Sequence, residues 1–190
     1  MKGKKNLERA IILGLILSTG VYGSVLAAPP QPINDSTNDL LPSYDTSVTF
    51  VGDEDTSAID IGNKNISIVT TNPNNGTITL ESGEYGIKLS GNVDITLDSS
   101  SDNIIEVSLN KNDGTNDHSD GVVVSSGTVK LIADNTNKIT AGKLGLSADG
   151  ANSKILLEGK TNEIIVSYDK FANDDSIVYA LNVDNGNIYI

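Results

Sequence analysis

Three clusters of acids are the residues of this chain best placed to do chemistry. Asp53, Glu54 and Asp55 form the first, Asp113, Asp117 and Asp120 the second, and Asp174 and Asp175 the third. Paired carboxylates divide acid and base work when their surroundings push their pKa values apart. The enzymatic reading of such clusters is therefore a groove that cleaves polysaccharide, as a lyase or a glycoside hydrolase. His118 is the single histidine and lies near Asp117 and Asp120. A general base must reach both a substrate and an orienting partner, and no Ser or Cys motif accompanies it. Asp113, Asn116, Asp117 and Asp120 are hard oxygen donors within one stretch, NKNDGTNDHSD from Asn110 to Asp120. Calcium is the metal that such donors suit. Their spacing matches neither the EF-hand loop nor the nonapeptide of acidic calcium coils. Each cluster sits among Asn, Ser and Gly, the residues of solvated turns. The expectation is a non-enzymatic protein with no catalytic residue and no cofactor, calcium at those four positions being the one metal to consider.

The elements that position these loops are short and repetitive. Gly86 to Leu97 reads GIKLSGNVDITL, two alternating runs around a polar turn at Ser90-Gly91-Asn92. Strict alternation places Ile87, Leu89, Val93, Ile95 and Leu97 on one face of extended chain. The same cassette returns as AIDIGNKNISIV from Ala58, GVVVSSGTVKLI from Gly121, GLSADGANSKILL from Gly145 and YALNVDNGNIYI from Tyr179. A third short strand completes most units, at Thr77–Leu80, Asn103–Val107, Lys138–Ala141 and Glu163–Val166. Asp102-Asn103-Ile104, Asn137-Lys138-Ile139 and Asn162-Glu163-Ile164 give it a recurring polar lead-in. First-strand starts at Ile59, Ile87, Val122, Leu146 and Leu181 lie 28, 35, 24 and 35 residues apart. Self-similarity on that scale marks a solenoid.

The chain has 190 residues and a net charge of −12. Hydrophobic residues are 37 % and aromatics only 4 %, so the core must be thin and aliphatic. No Cys is present, which excludes a disulfide framework and a thiolate metal site. Lys2, Lys4, Lys5 and Arg9 sit together at the N-terminus, and Arg9 is the only Arg. The remainder is strongly acidic. Nucleic acid is therefore not an expected partner, because its phosphates must be neutralised by Lys and Arg.

Residues 1–27 read as a secretory signal peptide. The four basic residues make its positive region, Ala10 to Leu17 its apolar region, and Ala27 and Ala28 bracket the expected cleavage point. The apolar stretch is shorter than the roughly 20 residues of a membrane span. Residues 28–47 follow as a linker, where Pro29, Pro30, Pro32 and Pro42 deny the backbone its ladder bonds. Residues 48–190 then form the coil, with Val48–Val51 as its first strand.

The fold class expected is all-β, a single-stranded right-handed parallel β-helix. No run after the signal peptide has apolar residues at helical spacing, and parallel strands joined without helices leave few other architectures. Inward side chains would meet their counterparts about 4.8 Å along the axis. Ile59, Ile87, Val122 and Leu146 would form one stack, and Ile66, Val93, Val129 and Ile155 another. The competing fold is a sandwich of antiparallel hairpins, because Asn75-Gly76 and Asn185-Gly186 are also hairpin turns.

With GIKLSGNVDITL, SDNIIEVS, GVVVSSGTVKLI, NTNKITAG and TNEIIVS behind a signal peptide, the chain resembles the passenger region of bacterial autotransporters, the type V secreted outer-membrane proteins. The resemblance covers Ala58 to Ile190. It implies a right-handed parallel β-helix delivered to the cell surface, the outer membrane or the medium by a C-terminal transmembrane barrel. Adhesion to a host or neighbouring-cell ligand and self-association are the partners it implies. No barrel lies in this sequence, which stops inside a strand at Asn187 to Ile190, so it reads as a fragment whose membrane contact runs only through that barrel. Asn72-Pro73-Asn74-Asn75-Gly76 is similar to an Asn-Pro-Asn turn of two-partner secreted haemagglutinins, but one tetrad with an insertion is the pattern of an ordinary turn, which is the expectation here. A structural surface-layer component is the third reading.

Overall fold

The alternation of the sequence becomes strands throughout the computed structural model, which describes residues 31–37, 43–53, 55–107, 119–166 and 178–190. The stretch 1–27 with its cleavage point at Ala27 and Ala28 lies outside the described residues. In chain order the strands are β1 (Ile33–Asn34), β2 (Ser43–Tyr44), β3 (Val48–Val51), β4 (Ile59–Ile61), β5 (Ile66–Thr70) and β6 (Ile78–Ser82). They continue as β7 (Tyr85–Leu89), β8 (Asp94–Ser99), β9 (Asp102–Val107), β10 (Asp120–Val124), β11 (Gly127–Ala133) and β12 (Thr136–Ala141). The last are β13 (Leu144–Ala148), β14 (Ser153–Glu158), β15 (Thr161–Val166), β16 (Tyr179–Val183) and β17 (Asn187–Tyr189). No helix occurs among the described residues.

Every third strand is a neighbour. One sheet runs β1-β4-β7-β10-β13-β16, the second β2-β5-β8-β11-β14-β17 and the third β3-β6-β9-β12-β15. All the pairings are parallel. Parallel neighbours need a long crossover, and here each crossover consists of one strand from each of the other two sheets. The fold is all-β, three parallel sheets of stacked strands, compatible with a parallel β-helix. The hairpin reading is overturned, because Asn75-Gly76 joins β5 to β6 and Asn185-Gly186 joins β16 to β17, strands of different sheets.

The core is the set of inward columns. Ile59, Ile87, Val122 and Leu146 are in register and fully buried. The second column is Ile66, Ile95, Val129 and Ile155. Ile95 thus occupies the place that alternation gives to Val93. Val93 lies one residue before β8 and is partly buried against the core. Both residues share a parity, so period two alone cannot choose between them; the length of the corner at Ser90-Gly91-Asn92 does. Each fully buried Ile, Leu or Val contributes up to about 1.5–3 kcal/mol, and the thin interior relies on this repetition.

The coil also starts earlier than Val48. Ile33 pairs with Ile59, and Ser43 with Val69, inside the proline-bearing stretch 28–47. Both strands are only two residues long and lie at sheet edges, where proline nearby is tolerated. Val48–Val51 is accordingly the third strand of its rung, pairing with β6.

Two further columns set the corners. Gly86, Gly121 and Gly145 stand at one level of the first sheet, beside Ile105, Ile139 and Ile164 of the third. A Cβ on Gly121 would lie 2.4 Å from Ile139 Cγ2 and 2.5 Å from the Gly145 carbonyl. Only glycine lets the Ile column approach this closely. Inside the third sheet, Asn103, Asn137 and Asn162 form a ladder. Asn103 Nδ2 donates to Asn137 Oδ1 at 3.0 Å and Asn137 Nδ2 to Asn162 Oδ1 at 2.8 Å. The same amides donate to the main chain at Ile132 and Glu158.

Candidate functional site

The polar residues that sequence reasoning singles out are divided by the fold. Glu54, Asp113, Asn116, Asp117, His118, Asp174 and Asp175 lie outside the described residues. Asp53 and Asp55 are exposed at the turn after β3. The Asp53 carbonyl accepts from the backbone N–H of Thr56 and of Gly83, and Thr56 Oγ1 accepts the Asp53 N–H at 2.6 Å. These are turn contacts.

Asp120 has a structural partner. It opens β10, is nearly fully buried, and its Oδ1 accepts the Leu144 N–H of the next rung at 3.1 Å. Other corners use the same device. Asn65 Oδ1 accepts from Asp94 N at 2.9 Å, and Asp102 Oδ1 from Thr136 N at 3.0 Å. Asp35 Oδ1 accepts from Gly62 N and Asn63 N. In each case an acid or amide of one rung receives a corner N–H of the following rung, a group that no strand ladder would satisfy. Beside Asp120, Ser119 is buried with an unpartnered Oγ, while its carbonyl accepts from Gly142 N and Lys143 N.

Among the described residues, charged and aromatic side chains also gather on the first sheet around Tyr85. Asp120 is its register partner, and Lys88 Nζ sits 5.0 Å from the ring centroid. Lys88 also meets Asp60 Oδ2 at 3.8 Å, its register partner on β4. Both side chains are largely solvated, so this pair adds less than about 1 kcal/mol. Burial raises the Tyr85 phenol above its usual range, and the charges of Asp120, Glu84 and Asp60 add to the rise. A phenol held neutral among carboxylates is a hydrogen-bond donor, with an exposed cation at its ring face. A second polar cluster lies on the same sheet, where Ser147 Oγ donates to Asp149 and Asn182 Nδ2 donates to Ser147 Oγ at 3.0 Å.

Among the described residues no three His, Cys, Asp or Glu side chains gather as a metal site. The glycine and asparagine columns are the residues whose roles sequence reasoning missed. Their signals were legible, since the cassettes open on Ala58, Gly86, Gly121 and Gly145, and Asn recurs in the lead-ins of the last three third strands, at Asn103, Asn137 and Asn162.

No family model, no curated protein and no solved structure matches the chain.

Proposed function

We propose that the chain is an exported, right-handed parallel β-helix of the autotransporter-passenger kind, secreted or displayed at the cell surface, which acts by adhesion and not by catalysis. The observation that supports this most is the strand order, in which every strand pairs with those three places before and after it. Such winding turns a chain with few aromatics into a stiff rod. Rungs repeat about every 4.8 Å, and insertions are confined to corners, where lengthening a loop costs little. The stretches 108–118 and 167–177, which follow β9 and β15 in the sequence, are long and rich in Asn, Asp and Ser, and in this reading they supply contacts. In this reading the partner is a ligand on a host or neighbouring cell, or a second copy. An acidic body with no Arg beyond Arg9 is ill suited to nucleic acid.

The test is export. The full chain is produced in a bacterium with an outer membrane and the product is located and sequenced from its N-terminus. A product outside the cytoplasm that begins at Ala28 supports the reading. A chain retained in the cytoplasm with Met1 to Ala27 intact overturns it. Millimolar calcium is expected to leave the melting temperature unchanged; a rise would bring Asp113, Asn116, Asp117 and Asp120 back as ligands.

A further inference from the structure

The corner that joins β5 to β6 spans residues 71–77, longer than the corner 45–47 of the preceding rung. The surplus forms a tight turn. Asn72 holds it, its carbonyl accepting from Asn75 N at 3.2 Å and its Oδ1 from Asn74 N at 3.0 Å. The turn delivers an exposed Asn75 directly before Gly76. No side chain stands over a glycine to shield its backbone nitrogen. Among the described residues the Gly76 N–H has no hydrogen-bond partner. An uncommitted amide nitrogen thus follows an exposed carboxamide, and these are the two reactants of closure to a succinimide.

Ser47, in the corner of the preceding rung, is aimed at the same carboxamide. Its Oγ donates to Asn75 Oδ1 at 2.7 Å, with the main-chain carbonyl of Asn75 farther off at 3.3 Å. Thr77 N donates to that Oγ at 3.2 Å, which leaves the hydroxyl proton for Asn75. A donor so placed draws electrons from Cγ and lies at the distance that stabilises an oxyanion formed on Oδ1. The chain has a second Asn-Gly pair, Asn185-Gly186. There Asn185 Nδ2 donates to Asp184 Oδ1 at 3.0 Å, and no donor reaches Asn185 Oδ1 among the described residues.

We propose that Asn75 is a self-modifying site, deamidated by the Gly76 backbone nitrogen with the Ser47 hydroxyl as oxyanion donor. Solvent hydroxide takes the proton of Gly76 N. That nitrogen bonds to Asn75 Cγ, and the negative charge passes to Oδ1 against Ser47. The intermediate collapses with cleavage of Cγ–Nδ2, and Nδ2 takes a proton from water and leaves as ammonia. The hydroxide is regenerated, and one water then opens the succinimide. An amide and water have become an acid and ammonia, with nothing oxidised or reduced. Opening at Cγ gives aspartate. Opening at the main-chain carbonyl gives isoaspartate, which lengthens the backbone by one carbon. The corner has no slack for that carbon. The Gly76 carbonyl accepts from both Thr70 Oγ1 and Ser99 Oγ. A carbon added on Gly76 would press on Ser100 Oγ and lie 2.7 Å from the Asn72 carbonyl. Aspartate is therefore the product the fold admits. It adds one negative charge at an exposed corner and still accepts from Ser47. The site rests on the corner geometry alone and holds or fails independently of export.

The full chain is aged in mildly alkaline buffer, sampled over days, and read by peptide mapping that separates aspartate from isoaspartate. In the folded chain Asn75 is expected to become mainly aspartate. In guanidinium chloride, where the corner is lost, isoaspartate is expected to prevail as it does in free peptides. This product ratio needs no variant. Ser47→Ala is expected to slow the folded-state conversion roughly two- to tenfold, the worth of one net hydrogen bond. Ser47→Thr is expected to restore the rate, with the strand signature of circular dichroism kept in both. An Asn75 that stays an amide in the folded chain while converting in denaturant overturns the proposal. So does isoaspartate in excess in the folded chain, and so does a folded Ser47→Ala chain that ages as fast as the parent.

Discussion

Asn103 donates its side-chain N–H to the Asn137 carbonyl oxygen at 3.0 Å, yet its own Oδ1 is buried and receives nothing. The register explains the asymmetry. Asn137 has an Asn on either side, whereas Asn103 pairs backwards with Ile78, whose side chain has no N–H to give. The ladder begins where the preceding rung turns apolar. An interior rung of the ladder should therefore matter more than its first. Asn137→Leu removes the donor to Asn162 and Glu158 and takes one acceptor from Asn103, which keeps its bond to the Ile132 carbonyl, and is expected to cost about 2–3 kcal/mol. Asn103→Leu also removes an acceptor that is already unpaired, and is expected to cost about 1 kcal/mol. Urea unfolding measures both. Equal losses would show that the ladder is not the unit of stabilisation.

Gly121 tests the corner packing. Gly121→Ala places a methyl against Ile139 Cγ2 and the Gly145 carbonyl, and overpacking of this kind costs about 1–3 kcal/mol. Ile139→Ala alone opens a cavity and is expected to cost about 2–4 kcal/mol. The double variant should cost less than the sum, because the truncated side chain makes room for the new methyl. The residual penalty belongs to the backbone carbonyl, which cannot be trimmed. Additive losses in the cycle would refute the contact.

Glu81 and Glu106 are register partners, both exposed on the outer face of the third sheet. Like charges directly opposed on neighbouring strands are destabilising. Glu106→Lys converts the repulsion into an attraction and is expected to raise stability by about 0.5 kcal/mol at low salt. The gain should shrink towards zero in 1 M salt, where the Debye length is about 3 Å. A gain indifferent to salt would need another cause.

Tyr85 gives the chain an alkaline limit. Burial, reinforced by Asp120, Glu84 and Asp60, raises its folded pKa above the ordinary 10. The folded state then holds the phenolic proton more tightly than the unfolded chain does. Its contribution is complete below pH 10 and is lost as pH rises from there through the folded value. Stability is expected to fall in that window, and Tyr85→Phe to flatten part of the fall. A parent chain and Tyr85→Phe with superimposable profiles above pH 10 would remove the phenol as the cause.

Much of the site chemistry was legible only as residue type. Asp120 has the composition of a loop ligand, yet its place at the head of β10 commits its carboxylate to Leu144 N. Composition cannot show this, because the donor belongs to a residue 24 positions later. The recurring Asn of the lead-ins was visible too. That the three stack depends on rungs of unequal length still bringing 103, 137 and 162 to one level.

The sequence by itself determined which side of each strand faces inward, because period two leaves only two choices and aliphatic residues fill one of them. It also determined the three-strand repeat, since short alternating runs recur between polar turns. The tertiary structure alone decided register. Val93 and Ile95 share a parity, and only the length of the corner before them puts Ile95 into the column with Ile66 and Val129. It decided that β1 and β2 join the stack despite the prolines around them, because a partner strand supplies what local propensity withholds. Period is a property of neighbours along the chain. Register is set by neighbours a full rung away, and corners of variable length hide that distance from any local reading.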